Sequence, residues 1–139
     1  MKNNEPIATL GVDHVGLTVG HLRESASFFT DQLGWKVIGE MPGYPAIFVS
    51  NGYTKLTLWQ AEDPQKAIAF DRKNNIGLHH LAIGLPSFEE LDRLYEKLKS
   101  ASNIQIEFPP EISGKGPHKH MMIRDPSGLR IEFVHRPSV

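Results

Sequence analysis

The fold is decided by the stretch GLHHLAIGL, residues 77–85, because it repeats an earlier stretch, GVDHVGLTV, residues 11–19. When the two are aligned, His80 falls on His14, and apolar residues lie on both sides of each histidine. Each stretch is followed by a helical pattern and then by short strand-like runs. An internal repeat governs the interpretation of the whole fold. The sequence therefore predicts a duplicated unit with a histidine in the first strand of each copy.

Length and composition limit the classes of protein that fit. A chain of 139 residues suits one compact domain. The 15 basic and 16 acidic residues form no basic patch, so nucleic acid is not an expected partner. Cysteine is absent, so any metal must be held by nitrogen and oxygen ligands. The polar start and the lack of a long apolar run predict a cytoplasmic protein with no membrane partner.

The first copy, residues 7–66, is predicted to form a strand, a helix and three further strands. The helix spans Leu22 to Leu33, where apolar residues recur at helical spacing, and Gly34 is its expected C-terminal cap. The strands are predicted at residues 8–19, 35–40, 46–49 and 55–59. The last two form a hairpin around Asn51-Gly52. The polar residues 61–75 are interpreted as a linker.

The second copy, residues 77–136, has the same order of elements. Ser87 and Glu90 form an S-x-x-E capping box before an apolar helical stripe that ends at Leu98. Further strands are predicted at residues 104–108, 119–124 and 129–134. A Pro/Gly-rich loop is predicted at residues 109–117, and the turn Asp-Pro-Ser-Gly at residues 125–128 joins the last two strands.

One such unit cannot bury both its helix and its sheet, so the two copies should pack together. The predicted fold class is α+β, with two βαβββ modules in a single domain spanning residues 1–139.

Four segments of the chain resemble the vicinal oxygen chelate superfamily of glyoxalases, methylmalonyl-CoA epimerases, extradiol dioxygenases, fosfomycin-resistance thiol transferases and bleomycin-resistance proteins. They are DHVGL at residues 13–17, the helix at residues 25–35, HHLA at residues 79–82 and DPSGLRIEF at residues 125–133. The resemblance implies that the sheets of the two modules curl into a cup with a divalent metal at its floor.

The resemblance also implies a ligand set, because the first and last strands of each module supply the ligands in that superfamily. The matching positions here are His14, Thr57, His80 and Glu132. A threonine hydroxyl is a weak donor, so Thr57 is expected to stay outside the coordination sphere. The remaining two histidines and one carboxylate fit a facial triad for Fe²⁺, Mn²⁺, Zn²⁺ or Ni²⁺.

Strand register suggests which other side chains surround the metal. If Asp125 faces Leu129 across a three-residue turn, Met122 lies opposite Glu132, and His120 and Arg124 share their face. His120 is then a candidate general acid or base beside Glu132, and an exposed hairpin histidine is the alternative. His79 should point to the opposite face from His80, because side chains alternate along a strand.

The candidate substrate-binding residues come from the same strand parity and from the family cup. They are Thr57, Trp59, Met122, Arg124 and Arg130. Arg130 either orients an anionic substrate or supports the Glu132 carboxylate.

The resemblance implies an enzyme that binds two neighbouring substrate oxygens to the metal and stabilises an anion. Three chemistries stay open: a lyase, a thiol transferase and a ring-cleaving dioxygenase. Thr57 counts against a strict glyoxalase, and Met122 stands where the dioxygenases have a tyrosine. The alternative function is drug or metabolite binding without catalysis, as in bleomycin resistance. A homodimer is expected, with each metal site either within one chain or shared between two.

Overall fold

The computed structural model describes residues 4–138, whose strands form two separate four-stranded mixed sheets. Module one contains β1 (Val15–Val19), α1 (Leu22–Ser27), β2 (Lys36–Met41), β3 (Ala46–Ser50) and β4 (Lys55–Gln60). Module two contains β5 (Leu81–Gly84), α2 (Phe88–Leu98), β6 (Gln105–Ile112), β7 (Lys119–Arg124) and β8 (Arg130–His135). The strand orders are β1-β4-β3-β2 and β5-β8-β7-β6. The predicted α+β fold of two βαβββ modules is confirmed.

The repeat extends to the register of the strands. In each module the first strand runs parallel to the last and the other neighbouring pairs are antiparallel. Gly16 lies opposite Thr57 in module one, and Ala82 lies opposite Glu132 in module two. Thr57 and Glu132 therefore occupy equivalent positions, as predicted. Met122 also pairs with Glu132, which confirms the predicted register of the β7–β8 hairpin.

Each sheet buries one face and leaves the other open. The buried faces and the helices contribute to one apolar cluster that spans both modules, and its fully buried members are Val19, Phe29, Val49, Leu56, Leu58, Leu91, Leu98, Met121, Ile123, Ile131 and Phe133. The alternation of strand side chains sends the intervening residues to the opposite face. We call these opposite surfaces the open faces. That of module one carries Gly16, Thr18, Phe48, Thr57 and Trp59, and that of module two carries His120, Met122, Arg124, Arg130 and Glu132.

The first helix does not keep one geometry to its end. After α1 the chain continues as a π-helical segment, Phe28–Gln32, which buries both phenylalanines. Gly34 ends it in the left-handed region, with φ of 71°, and donates its N–H to the Thr30 carbonyl. A side chain would be strained in this conformation, so the predicted glycine cap is confirmed.

The second helix begins at the predicted cap. The Ser87 hydroxyl accepts a hydrogen bond from the Glu90 N–H at 3.1 Å. The Glu90 carboxylate does not complete a capping box, because it forms two 2.9 Å hydrogen bonds with Arg93 one turn further along.

The predicted start of the first strand, at Ala8, is wrong. β1 begins only at Val15, where pairing with Leu56 of β4 begins, and β5 likewise begins at Leu81. His14 and His80 therefore lie immediately before the strands and not within them. Residues 5–14 pair with no strand of the described chain and leave large apolar side chains exposed, namely Ile7, Leu10 and Val12.

The predicted loop at residues 109–117 is also partly wrong, because β6 runs through Pro109 and Pro110 to Ile112. β6 is an edge strand, and its register shifts between Phe108 and Glu111. Prolines are tolerated at such bulged edges because no neighbouring strand needs the missing N–H.

The turns of the β3–β4 and β7–β8 hairpins have similar local hydrogen bonds but different surroundings. In module one the Asn51 side chain accepts from the N–H groups of Tyr53 and Thr54 on the surface. In module two Asp125 accepts from the N–H groups of Ser127 and Leu129, both at 2.9 Å, and is buried.

Asp125 also joins the two modules. Its Oδ2 accepts a 2.8 Å hydrogen bond from Ser25 of α1, and the Ser25 and Ser127 hydroxyls are 2.6 Å apart. We call Ser25, Asp125 and Ser127 the inter-module clasp. Burial raises the pKa of Asp125, although the hydrogen bonds from Ser25 and the turn act in the opposite direction.

Neither helix between residues 4 and 138 has the length and apolar character needed to cross a membrane.

Candidate active site

The best-formed part of the site lies at the centre of the open face of module two. His80 Nε2 and Glu132 Oε1 are 3.9 Å apart, and the Glu132 side chain is largely buried. Two ligands about 2.1 Å from one ion at a right angle would be about 3 Å apart, so a side-chain adjustment of about 1 Å would let both reach it. The pair therefore fits two positions of a divalent metal site.

The neighbouring His79 does not point to the opposite face, as alternation along a strand predicts. Its Nδ1 lies 2.7 Å from Nδ1 of His80 and 3.5 Å from Nη1 of Arg130. The prediction is wrong because both histidines precede β5, where the chain has no strand geometry. The pKa of His79 is lowered, first by desolvation and then by electrostatic interaction with His80 and Arg130.

One tautomer of His80 satisfies both contacts of His79. Arginine can only donate hydrogen bonds, so Nδ1 of His79 must be an acceptor in this arrangement. The proton between the two histidines therefore belongs to Nδ1 of His80. Neutral His80 then has its lone pair on Nε2, the nitrogen that faces Glu132, as a metal ligand requires.

His120 lies on the same face and is directly bonded to Glu132. Its Nδ1 is 2.6 Å from Glu132 Oε2, and its Nε2 is 3.9 Å from Glu111 Oε1. Because an ionised carboxylate only accepts, Nδ1 of His120 holds the proton and Nε2 of the neutral ring is free to take one up. Met122 is buried beside this pair, and the Phe108 ring lies 5.0 Å from the imidazole.

His14 has a similar arrangement in module one. Its Nδ1 lies 2.7 Å from the Asp13 carboxylate, so its Nε2 carries the lone pair. The hydrogen bond from His14, followed by the charges of Lys55 and His14, lowers the pKa of Asp13. A carboxylate that orients an imidazole is a frequent partner of metal-binding histidines.

The three predicted ligands do not meet within one chain. Among residues 4–138, no three His, Asp or Glu side chains are grouped closely enough to hold one ion. The structure thus brings His80 and Glu132 together and leaves His14 with module one. In donor chemistry His14, His80 and Glu132 suit a divalent metal, and within the described chain His14 lies apart from the other two.

The open face of module one is aromatic around Thr57. The Thr57 hydroxyl accepts a 2.9 Å hydrogen bond from Trp59 Nε1, and Trp59 contacts Tyr44 and Phe48 with ring centroids 4.9 and 5.8 Å away. A Cβ on Gly16 would lie 3.1 Å from the Thr57 hydroxyl, so glycine lets the strands approach here. Thr57 is buried at the position equivalent to Glu132.

Arg124 and Arg130 converge on a carboxylate that the sequence interpretation missed. Glu107 accepts from Arg124 Nε at 3.0 Å and from Arg130 Nε at 2.7 Å, and Arg72 Nη1 lies 3.7 Å from it. Desolvation acts to raise the pKa of Glu107, but the bonds and charges of Arg130 and Arg124 outweigh it and lower that pKa. Ile106 packs against the core, so alternation along β6 places Glu107 on the open face; the sequence interpretation did not assign residues of β6 to that face.

With this fold and these open faces, the chain belongs to the Glyoxalase/Bleomycin resistance protein/Dioxygenase superfamily, whose family model matches residues 11–133. The structure of a glyoxylase/bleomycin resistance protein/dioxygenase domain from Frankia sp. EAN1pec is similar, with a TM-score of 0.76 and 25% identity over 94% of this chain and 95% of that one. A putative glyoxalase from Bacillus halodurans has a TM-score of 0.74 and 29% identity, over 91% and 96% of the two chains.

Two relatives have the names of enzymes. A catechol-2,3-dioxygenase of Bacillus subtilis (strain 168) is 31% identical over an alignment of 139 positions that covers 96% of this chain and 44% of the relative. A mitochondrial methylmalonyl-CoA epimerase of Mus musculus is 30% identical over an alignment of 111 positions that covers 73% of this chain and 62% of the relative. The chain thus spans less than two thirds of either relative.

Proposed function

We propose that the protein is a metal-dependent enzyme that binds a small molecule through two neighbouring oxygens at one divalent ion. The observation that carries the proposal is the His80–Glu132 pair on the open face of module two. His80 Nε2 and Glu132 Oε1 are 3.9 Å apart and face each other. The family relationship and the enzyme names of the two relatives support the same class.

The residues of this face have distinct proposed roles. His80 through Nε2 and Glu132 through Oε1 would hold the ion, together with His14 through Nε2. A bound divalent ion supplies Lewis acidity, which stabilises negative charge on substrate oxygens. His120 keeps Glu132 in place through its Nδ1 proton, and its Nε2 takes a proton from the substrate or returns one.

We propose further that two copies of the chain share each site. The support is that His14 lies apart from His80 and Glu132 within one chain. In addition, the exposed arm at residues 5–14 and the edge strand β2 present apolar side chains, which monomeric proteins rarely leave uncovered over a large area. A two-fold pair that sets module one of one copy against module two of its partner would supply all three ligands.

A mixing experiment tests the shared site. The variants His14→Ala and Glu132→Ala should each bind little metal alone. When co-refolded, they should recover one metal per heterodimer, because one of the two sites regains all three ligands. No recovery in a verified heterodimer would contradict sharing, and a mass of 15.6 kDa by light scattering would contradict the dimer.

The reaction is to be sought among three chemistries. Catechols are tested first, because a catechol-2,3-dioxygenase is among the relatives. Methylglyoxal–thiol adducts and fosfomycin with thiols follow, each with Fe²⁺, Mn²⁺, Zn²⁺ and Ni²⁺. Turnover that depends on metal and is lost in Glu132→Ala would support the enzyme.

A second candidate is a protein that binds drugs or metabolites without catalysis. The aromatic surroundings of Trp59 on the open face of module one favour it, since flat apolar ligands stack on such rings. Metal content after purification without a histidine tag separates the two. A metal-free protein that still binds apolar ligands would support binding alone.

A further inference from the structure

The charges around Glu107 do not balance. Three guanidinium groups, from Arg72, Arg124 and Arg130, lie within 3.7 Å of this one carboxylate, which leaves two positive charges in excess. The four side chains are only 11–27% exposed, so water screens this excess less than at an open surface.

The hydrogen-bond donors are in excess as well. Arg124 is well used, because Nε donates to Glu107, Nη1 donates to the Gly128 carbonyl, and Nη2 lies 3.0 Å from the same Glu107 oxygen in an ion pair. Arg130 donates from Nε to Glu107 and contacts His79 from Nη1. The guanidinium of Arg72 forms no hydrogen bond within residues 4–138, because its 3.7 Å contact is too long. Donors of Arg72 and Arg130 therefore remain for a further acceptor.

The position of this excess points to the reacting centre. Arg130 and Glu132 lie two residues apart on β8 and on the same face, so their Cα atoms are separated by about 7 Å. Arg130 also contacts His79, which is bonded to His80. A small molecule with oxygens near His80 and Glu132 can thus extend to the arginines without leaving the open face.

We propose that Arg72 and Arg130 form an anion-binding subsite that takes a carboxylate or phosphate group of the substrate. The inference rests on the proposed function and narrows it to anionic substrates, with the anionic group about 7 Å from the oxygens that approach Glu132. Arginine suits this task because its planar fork matches both anions. Arg124 acts as the support that holds Glu107 and the turn in place.

The test measures the binding of two probes, inorganic phosphate and succinate, by titration calorimetry. The protein is stripped of metal, dialysed free of chelator and held at low ionic strength, since salt screens such contacts. Arg72→Gln should weaken binding of the preferred probe about tenfold, the scale expected for one charged hydrogen bond. Arg130→Gln should weaken it at least as much. The probe that binds more tightly identifies the anionic group.

Two further variants guard against a structural explanation. Glu107→Gln removes the competing carboxylate and should tighten binding several-fold, which mere damage to the fold would not do. Arg93→Gln is the matched control, because it removes one positive charge from an arginine that is paired with a carboxylate on α2. This variant should bind the probe as tightly as the unaltered protein does. Arg72→Gln breaks no hydrogen bond of the described chain, so its fold should be intact.

Either of two binding results would exclude the subsite. Binding by Arg72→Gln and Arg130→Gln equal to that of Arg93→Gln, or no binding of either probe to the unaltered protein, would exclude it. Metal content of Arg72→Gln is measured in parallel. One outcome is that the unaltered protein binds no divalent metal and still binds the anion through Arg72. That result would reject the proposed metal-dependent enzyme and leave the anion subsite standing.

Discussion

The open faces of the two modules differ in chemistry although their strands repeat in order and register. Module one presents Trp59 and its aromatic neighbours around a threonine, whereas module two presents three histidines, a carboxylate and an arginine cluster. At the equivalent positions Thr57 and Glu132, one hydroxyl is already bonded to Trp59 and one carboxylate faces His80. Duplication has thus preserved the backbone and separated an apolar wall from a polar one.

The division suggests how a substrate would be held between them. The polar face can fix oxygens and charge, and the aromatic face can cover the apolar body and exclude water. Four predictions test whether the two faces are as different as this comparison requires.

The largest effect is expected at the two equivalent positions. Glu132→Ala should lower metal affinity by more than about 100-fold, because a ligand is lost and not merely its support. Thr57→Ala should retain most of that affinity. Metal content and affinity are measured by mass spectrometry and calorimetry. Stoichiometric metal in Glu132→Ala or His80→Ala would contradict the comparison. Equal losses of metal affinity in Glu132→Ala and Thr57→Ala would contradict it as well.

The two hairpin turns should respond unequally to the same truncation. Asp125→Ala should cost about 2–4 kcal/mol, because it leaves buried N–H groups without an acceptor and opens the inter-module clasp. Asn51→Ala, at an exposed turn, should cost about 1 kcal/mol or less. Urea unfolding measures both. Equal costs would show that the clasp adds nothing to the local turn.

Two carboxylates of module two should respond to acid in opposite directions. The pKa of Glu107 is lowered in the folded state, so its stabilisation is present above about pH 4.5 and is lost as pH falls through its folded pKa. The pKa of Asp125 is raised, so its ionised form destabilises at neutral pH, and stability is regained as pH falls towards 3.8.

Unfolding curves from pH 7 to pH 3.5 compare Glu107→Gln and Asp125→Asn with the unaltered protein. The advantage of the unaltered protein over Glu107→Gln should shrink on acidification, and its advantage over Asp125→Asn should grow. A trend of the same sign in both pairs would contradict the assigned directions.

The smallest effect is expected on the aromatic face. Trp59→Phe removes the N–H that bonds Thr57 and keeps most of the ring, so it should cost about 1 kcal/mol. Metal affinity should not change, whereas binding of apolar ligands should weaken modestly. A large loss of metal in this variant would place module one closer to the ion than proposed.

Sequence reasoning predicted the elements of the fold well because their signals are local. The apolar stripe of α2, the Ser87 cap and the turn at Asp125 each depend on a few neighbouring residues. The equivalence of Thr57 and Glu132, which the family resemblance implied, is confirmed by the matching strand register of the two modules.

The errors came from features that depend on tertiary contacts. Periodicity extended the first strand back to Ala8, but β4 offers pairing only from Leu56 onwards. Alternation placed His79 away from His80, although no strand exists at that point. Glu107 was missed because its arginine partners lie on other elements, and Arg72 was missed because an irregular segment brings it to Glu107. Nothing in a single sequence marks such a convergence.

The inter-module clasp has a consequence for the order of events during synthesis. Ser25 and Asp125 are 100 positions apart. At about 5–20 residues per second, the acceptor leaves the ribosome roughly 5–20 seconds after its donor. During that interval the first half of the chain exposes the helix surface that module two later covers, where Phe28 meets Phe133. Proteolysis and chaperone binding should therefore concentrate on nascent chains that stop short of Asp125, and a missing C-terminal hairpin should be detected as a failure of the whole protein.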